Sequence, residues 1–240
     1  MRCLALRDIE TDLRRTFPDH PAFHVDAADS INRSAGLVPS LRRVLLAYSK
    51  RNTNVGYCQG MNFVTAMMLV FMDEEEAFWL LSVICEDYFA ESYTLDMAGA
   101  SIDSVVLEEA CASTGSSGTL PGDSINHGMQ SRGCPELAAR LKELGVSVSL
   151  LSAQWFICLY VDVFPTSGCV RTWDLLMLDG SGVIFAVALA SFQAASERLL
   201  LVSKTHEFCV QNKEFCIQNK ELQGITRNFV FKVMNVADRR

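Results

Sequence analysis

RNTNVGYCQGMN, residues 51–62, is the segment from which the fold of this chain is most readily inferred. Gly56 provides a turn ahead of Gln59, and an apolar run of helical length then extends from Met61 to Met72. We therefore expect Gln59 to lie at the start of a buried helix. Taken alone, the segment is typical of a loop-to-helix junction in which the glutamine caps its own backbone, so a functional interpretation needs a second motif.

The composition indicates a globular protein with a large core. Its length of 240 residues suits one large domain or one and a half. Half of the residues are hydrophobic and a fifth are charged, which is enough apolar material for a sizeable core. The net charge of −7 argues against nucleic acid as a partner, because phosphate binding needs a basic face. We expect no membrane insertion, since the longest apolar runs have about half the roughly 20 residues that a membrane-spanning helix needs.

The nine cysteines show no metal-binding spacing. No C-x-x-C pair occurs, and the four histidines (His20, His24, His127 and His206) lie far apart in the chain. Several cysteines fall in apolar runs, and the chain begins without a secretory signal pattern. We therefore expect reduced core cysteines and a cytoplasmic protein.

The hydrophobic periodicity predicts an all-α fold, because apolar residues recur at three- to four-residue spacing and no alternating strand pattern is present. The capping-box pattern Asp73–Glu76 marks one helix start. The tryptophans Trp79, Trp155 and Trp173 are expected in the core. Helices are predicted over residues 4–13, from Pro39 to the Asn52–Asn54 cluster, from Gly56 to about Met72, after Asp73, over 101–110, 135–144 and 150–164, and, as a pair, over 170–178 and 183–192.

Two segments depart from this helical pattern. Residues 111–133 are rich in serine and glycine and are predicted to form a flexible insertion. In the last part of the chain, Glu207–Lys213 (EFCVQNK) is repeated almost unchanged as Glu214–Lys220 (EFCIQNK). This tandem heptad duplication predicts a helical tail over residues 201–240.

A second motif supports a functional interpretation of residues 51–62. IETDLRRTFP at residues 9–18, followed about 40 residues later by VGYCQGMNF, resembles the TBC domain of Rab GTPase-activating proteins. Four later segments of the chain also resemble blocks of that family, in the same order. They are AFWLLSVICED from Ala77, PELAARL from Pro135, QWF from Gln154 and VRTWDLLMLDG from Val170. The resemblance implies a multi-helix TBC-domain fold over residues 1–200. It also implies that the chain lacks part of the family's usual N-terminal helical segment, which carries an R-G-[IV]-P type sequence.

The resemblance also implies a set of site residues. Arg15 corresponds to the family's arginine finger and Gln59 to its glutamine finger. Asp12, three residues before Arg15, is expected to orient the guanidinium group. Tyr57 and Gly60 are expected to hold the loop that presents Gln59.

These residue types suit GTP hydrolysis. Negative charge spreads over the γ-phosphoryl oxygens in the transition state, and an arginine inserted in trans supplies donors where that charge develops. A glutamine amide both donates and accepts, so it can hold the attacking water. Arg14 adjoins Arg15, but the motif spacing selects Arg15.

The implied partner is a GTP-bound Rab-family small GTPase. The sequence has no phosphate-binding G-x-x-x-x-G-K-[ST] motif, so GTP and Mg²⁺ are expected to belong to that partner, and the chain is expected to need no cofactor of its own. It would then be a GTPase activator that supplies catalytic residues in trans rather than a nucleotide hydrolase. Membrane association would be peripheral, through the lipid-anchored GTPase, and the role would be in vesicle trafficking.

Two other hypotheses are compatible with parts of the sequence. The chain could be a non-catalytic helical module that binds Rab proteins or acts as a scaffold, although the presence of both fingers favours a GTPase activator. Cys58 could be a nucleophile, but no sequence feature brings a histidine base to it.

Overall fold

The apolar run after Gln59 forms a buried helix, as the sequence predicts. The computed structural model of the chain describes residues 2–23, 36–90, 92–94, 98–113, 133–161 and 163–201. Within these ranges the regular structure is entirely helical, so the all-α prediction is confirmed. The α-helices are α1 Arg2–Leu13, α2 Val38–Arg51, α3 Met61–Phe71, α4 Glu74–Val83, α5 Ala98–Ala112, α6 Pro135–Glu143, α7 Val148–Ile157, α8 Thr166–Asp179 and α9 Val183–Leu200, with a π-helical turn at Ile84–Tyr88.

The chain divides into two compact units, Met1–Ala100 and Ser101–Arg240. In the first unit α3 packs against α1, α2 and α4, and α2 also contacts α1 and α4. Eight of the eleven residues of α3 are buried, because the helix is apolar on nearly every side. α3 therefore lies at the centre of this unit and fixes the position of the turn that precedes it.

The ends of α2 and α4 follow from local sequence. Pro39 lies in the first turn of α2, where its missing N–H costs nothing, and Asn52 occupies the C-terminal cap. Asp73 accepts a hydrogen bond from the backbone N–H of Glu76, while the Glu76 carboxylate accepts one from the N–H of Asp73. The predicted capping box is thus present, and it starts α4 directly after α3.

Trp79 is not a core residue, and that prediction is wrong. It is 50% exposed on α4, and the guanidinium carbon of Arg51 lies 5.3 Å from its ring centroid. Trp155 and Trp173 are buried, as expected. Hydrophobicity alone suggested a core position for Trp79, whereas the buried apolar residues of α4 are Ala77 and Leu81. The half-buried Phe78 packs edge-on against the Trp79 ring.

In the second unit α9 packs against α6, α7 and α8. Its side chains from Val183 to Leu189 are all buried, which explains why this run is apolar without interruption. α8 and α9 are joined by the Gly180 turn, where φ is +88°. The predicted helix pair in this part of the chain is therefore confirmed.

The helix predicted over Leu150–Phe164 is shorter than expected and ends at Ile157. Leu159 and Tyr160 have positive φ angles of 46° and 65°, a left-handed conformation that ends a right-handed helix and is uncommon outside glycine. Tertiary hydrogen bonds accompany this turn. The Tyr160 hydroxyl donates to the Ile184 carbonyl at 2.6 Å, and the Trp173 indole donates to the Leu159 carbonyl at 2.9 Å.

The predicted insertion over residues 111–133 is described only at its two ends. α5 continues through Ala112, and the backbone N–H of Cys134 donates to the carbonyl of Cys111 at 2.8 Å. A Cβ added to Gly133 would lie 2.3 Å from the Ser113 carbonyl oxygen, so glycine is required there. Residues 114–132, like the repeated tail from residue 202, lie outside the described residues, so both assignments stay predictions.

None of the helices that the structure describes has the length and apolar character needed to cross a membrane.

Candidate functional site

The two sequence motifs meet in the first unit, where the end of α1 approaches the turn before α3. A depression of about 540 Å³ lies between them. Its lining residues are Arg7, Asp8, Thr11, Asp12, Arg15, Tyr57 and Gln59. Four of the five residues predicted for the site are therefore in its wall, and Gly60 follows Gln59 directly. Arg14 is exposed but does not line the depression.

Asp12 connects the two motifs. Its side chain is buried on the last turn of α1, and one oxygen, Oδ1, lies 2.8 Å from a guanidinium nitrogen of Arg15. The other oxygen, Oδ2, accepts a hydrogen bond of 2.5 Å from the Tyr57 hydroxyl. Both carboxylate oxygens are thus engaged, and each faces a donor. The Arg15 side chain nevertheless remains 46% exposed.

Tyr57 acts as a hydrogen-bond donor at this site. Burial of its ring, and then the hydrogen bond to Asp12, raise the pKa of the Tyr57 hydroxyl well above its ordinary value. The hydroxyl therefore keeps its proton at neutral pH. A neutral Tyr57 can share the Asp12 carboxylate with Arg15 without adding a second negative charge.

Two residues that the motifs did not single out complete the arrangement. Thr16 and Asn62 are buried, at 1% and 0% exposure, and the Asn62 amide Nδ2 donates to the Thr16 hydroxyl at 2.8 Å. The Thr16 hydroxyl in turn donates to the Asp12 backbone carbonyl at 2.7 Å. We call Asp12, Thr16, Tyr57 and Asn62 the buried polar cluster. An amide in the first turn of an otherwise apolar helix is the sequence signal by which Asn62 could have been found.

Gln59 lies in the turn that leads into α3, with its side chain exposed. The turn depends on Gly60, whose φ of +103° is unfavourable for any residue with a Cβ. Gly60 also takes the N-terminal cap position of α3, and its N–H donates to the Asn62 Oδ1 at 3.1 Å. Within the described part of the chain no side chain caps α3, so the interpretation of Gln59 as a helix cap is wrong.

Cys58 has no features of a nucleophile. Burial raises the pKa of its thiol to about 11, so the reactive thiolate is scarce at neutral pH. Its Sγ lies 3.2 Å from the Thr94 carbonyl oxygen. A nucleophilic cysteine needs a histidine base, but the Nδ1 of His20 accepts a hydrogen bond from the Ala22 backbone N–H. The other three histidines lie outside the described residues.

A metal centre is not evident in the described ranges, where no group of three or more histidine, cysteine, aspartate or glutamate side chains is arranged to hold an ion. The depression presents the exposed guanidinium groups of Arg7 and Arg15, the Asp8 carboxylate and the Gln59 amide. Arg15 is in addition paired with the buried carboxylate of Asp12.

Comparison with known proteins identifies the family and the fold of the chain. The model of the Rab-GTPase-TBC domain family matches residues 3–113 and 129–200. Growth hormone-regulated TBC protein 1 of Homo sapiens is 35% identical over 202 residues, covering 84% of this chain and 53% of that protein. The Rattus norvegicus protein of the same name is 35% identical over 205 residues, covering 85% and 62% respectively. The chain thus spans about half the length of the human relative.

Two solved structures share the fold. The flagellar RabGAP TBC domain of Chlamydomonas superposes with a TM-score of 0.68 at 28% identity, covering 88% of this chain and 62% of that one. The Ypt/Rab-GAP domain of Gyp1p superposes with a TM-score of 0.65 over 98% and 74% of the two chains, and its 15% identity makes it a match of fold alone. The TBC-domain fold implied by the motifs is confirmed, and the chain belongs to the Rab-GTPase-TBC domain family.

Proposed function

We propose that this chain accelerates the hydrolysis of GTP bound to a Rab-family GTPase, with Arg15 and Gln59 supplied in trans. The observation that carries the proposal is that both side chains line one depression while each remains exposed. Arg15 is paired with buried Asp12, and Gln59 precedes Gly60, whose N–H is bonded to buried Asn62. A cationic group and an amide are thus attached to one supporting structure.

In the proposed mechanism, Arg15 approaches the γ-phosphoryl oxygens of the bound nucleotide. Its paired guanidinium nitrogen stays on Asp12, while the remaining N–H groups point to the developing charge. The amide of Gln59 holds the attacking water in line, accepting from the water and donating to the phosphate side. Because Asp12 already restrains Arg15, less side-chain freedom is lost on docking.

We propose that the nucleotide and Mg²⁺ are carried by the GTPase in its GTP-bound state, and that the chain needs no cofactor of its own. The absence of a phosphate-cradling G-x-x-x-x-G-K-[ST] motif supports this division of roles. The chain would then act in the cytoplasm and at membranes through its lipid-anchored partner, in vesicle trafficking.

Single-turnover GTP hydrolysis by a panel of Rab proteins tests this proposal. The wild-type chain should raise the rate for at least one Rab. Arg15→Ala should remove most of the stimulation, on the order of 10³-fold for an arginine finger, and Gln59→Ala should impair it too. Arg14→Ala is the matched control, because it deletes an adjacent exposed arginine outside the depression.

The outcomes separate the hypotheses. Binding to GTP-loaded Rab without any rate increase would support the non-catalytic binding module instead. Equal stimulation by wild type and Arg15→Ala would refute the arginine finger. Full activity of Gln59→Ala would indicate that the GTPase uses its own glutamine.

A further inference from the structure

We propose that Asn62 is a positioning residue that fixes the distance between the Arg15 and Gln59 segments, with Thr16 as its link to Arg15. This inference rests on the proposed function of the two fingers. It concerns residues that do not reach the depression and would act only through their neighbours.

The location of Asn62 requires a specific set of partners. The residue is 0% exposed in the first turn of an apolar helix, where an amide without hydrogen-bond partners would be costly. Its oxygen Oδ1 accepts from the Gly60 N–H at 3.1 Å, and its nitrogen Nδ2 donates to the Thr16 hydroxyl at 2.8 Å. A flipped amide would face the Gly60 N–H with a second donor, so the backbone determines the orientation of the amide.

Thr16 has only one way to satisfy both of its contacts. Its hydroxyl proton goes to the Asp12 carbonyl at 2.7 Å, so its oxygen is left to accept from Asn62. Thr16 follows Arg15 in the chain, and Gly60 follows Gln59. One side chain, Asn62, therefore binds the immediate neighbour of each finger, across a sequence separation of 46 residues to Thr16.

The two hydrogen bonds of Asn62 therefore add to the Asp12–Tyr57 bond in holding the two finger segments at a set distance. The fingers must reach the same γ-phosphoryl group and its water at once, and an error of about 1 Å in such geometry can cost on the order of 100-fold in rate. Loss of the Asn62–Thr16 bond would leave both fingers present and exposed, and the Asp12–Tyr57 bond in place, but their relative position would be held less tightly. The effect should therefore fall on the rate of hydrolysis and not on binding of the GTPase.

Thr16→Val is the most direct test, because valine keeps the shape of threonine and replaces the hydroxyl group, which bonds Asn62, with a methyl group. We expect a fall of about 10- to 100-fold in the maximal stimulated hydrolysis rate, with the Kd for GTP-loaded Rab unchanged. Thr16→Ser, which restores the hydroxyl, should recover most of the rate. Thr172→Val is the matched control, because Thr172 is equally buried and donates to a backbone carbonyl, that of Gly168, in the second unit.

Thermal unfolding of each variant accompanies the rate measurement. If Thr16→Val fails to fold, the smaller Thr16→Ala substitution, again compared with Thr16→Ser, takes its place. A wild-type hydrolysis rate in the variant without the hydroxyl would overturn the inference. So would weaker binding of Rab with an unchanged maximal rate, or an equal fall in the maximal rate of Thr172→Val. Failure of the proposed function is recognised separately, because the wild-type chain would then give no rate increase, or Arg15→Ala would stimulate as well as the wild type does.

Discussion

Asp12→Asn should lower the stimulated rate of GTP hydrolysis by about tenfold, because the Arg15 side chain is retained but loses its restraint. Asp12 faces two donors, the Arg15 guanidinium at 2.8 Å and the Tyr57 hydroxyl at 2.5 Å. A carboxylate accepts from both, whereas an amide of the same size has one oxygen and one NH₂ group. If the amide oxygen keeps the bond to Tyr57, its NH₂ group faces Arg15 and the guanidinium is released.

The magnitude follows from the exposure of the pair. A hydrogen bond to a charged group contributes roughly 1.5–3 kcal/mol when it is buried. Asp12 is buried but the Arg15 side chain is 46% exposed, and solvent screening reduces this to about 1–2 kcal/mol. Because about 1.4 kcal/mol corresponds to a factor of ten in rate, the expected loss is about 5- to 30-fold. This is well below the loss of order 10³ that we expect for Arg15→Ala.

The assay is single-turnover hydrolysis at a saturating concentration of the chain, with circular dichroism to establish folding. Asp19→Asn is the control, because it neutralises an exposed carboxylate that does not line the depression. An unchanged rate for Asp12→Asn would refute the argument that the carboxylate orients Arg15. A loss as large as that of Arg15→Ala would show that Asp12 does more than orient, and a loss in Asp19→Asn would point to a general charge effect.

Three further predictions concern stability and reactivity. Trp79→Ala should lower the free energy of unfolding by less than about 1 kcal/mol because the ring is half exposed, whereas Trp155→Ala, at a buried position, should lower it by about 3–5 kcal/mol. Urea denaturation of the two variants measures both values, and equal losses would contradict the argument from burial. The hydrogen bond from Arg43 holds the pKa of Glu74 at about 2, below its unfolded value of about 4.3, so the contribution of Glu74 to stability is present above that value and lost as the pH falls towards 2. Melting temperatures of wild type and Glu74→Gln should therefore differ at pH 7 and converge near pH 2, and a constant difference would exclude this linkage. Cys58→Ala should retain at least about a third of the stimulated rate, because a thiol with a pKa of about 11 is not a competent nucleophile; complete loss in a folded variant would reopen the nucleophile hypothesis.

Local features of the fold were predictable because their causes lie within a few residues. Asp73 and Glu76 are three apart, so their capping box is visible in the sequence and is present in the structure. The buried helix after Gln59 follows in the same way from an uninterrupted apolar run. Arg15 and Gln59 could be paired only through the family resemblance, because periodicity carries no information on which helices meet.

The features that were missed depend on tertiary contacts. Thr16 and Asn62 are 46 residues apart, and neither belongs to the residues that the motifs mark as functional. The early end of α7 depends on left-handed φ angles at Leu159 and Tyr160, two residues whose hydrophobicity suggested a continuing helix. The exposure of Trp79 likewise depends on what packs against α4, which its own sequence does not specify.

The placement of the three tryptophans gives the chain a built-in spectroscopic probe. Trp79, in the first unit, is half exposed beneath the Arg51 guanidinium, whereas Trp155 and Trp173 are buried in the second. A solvent-exposed indole emits at longer wavelength and is accessible to a dissolved quencher such as acrylamide. The quenchable part of the intrinsic fluorescence should therefore report on the unit that carries Arg15 and Gln59, without the attachment of any dye.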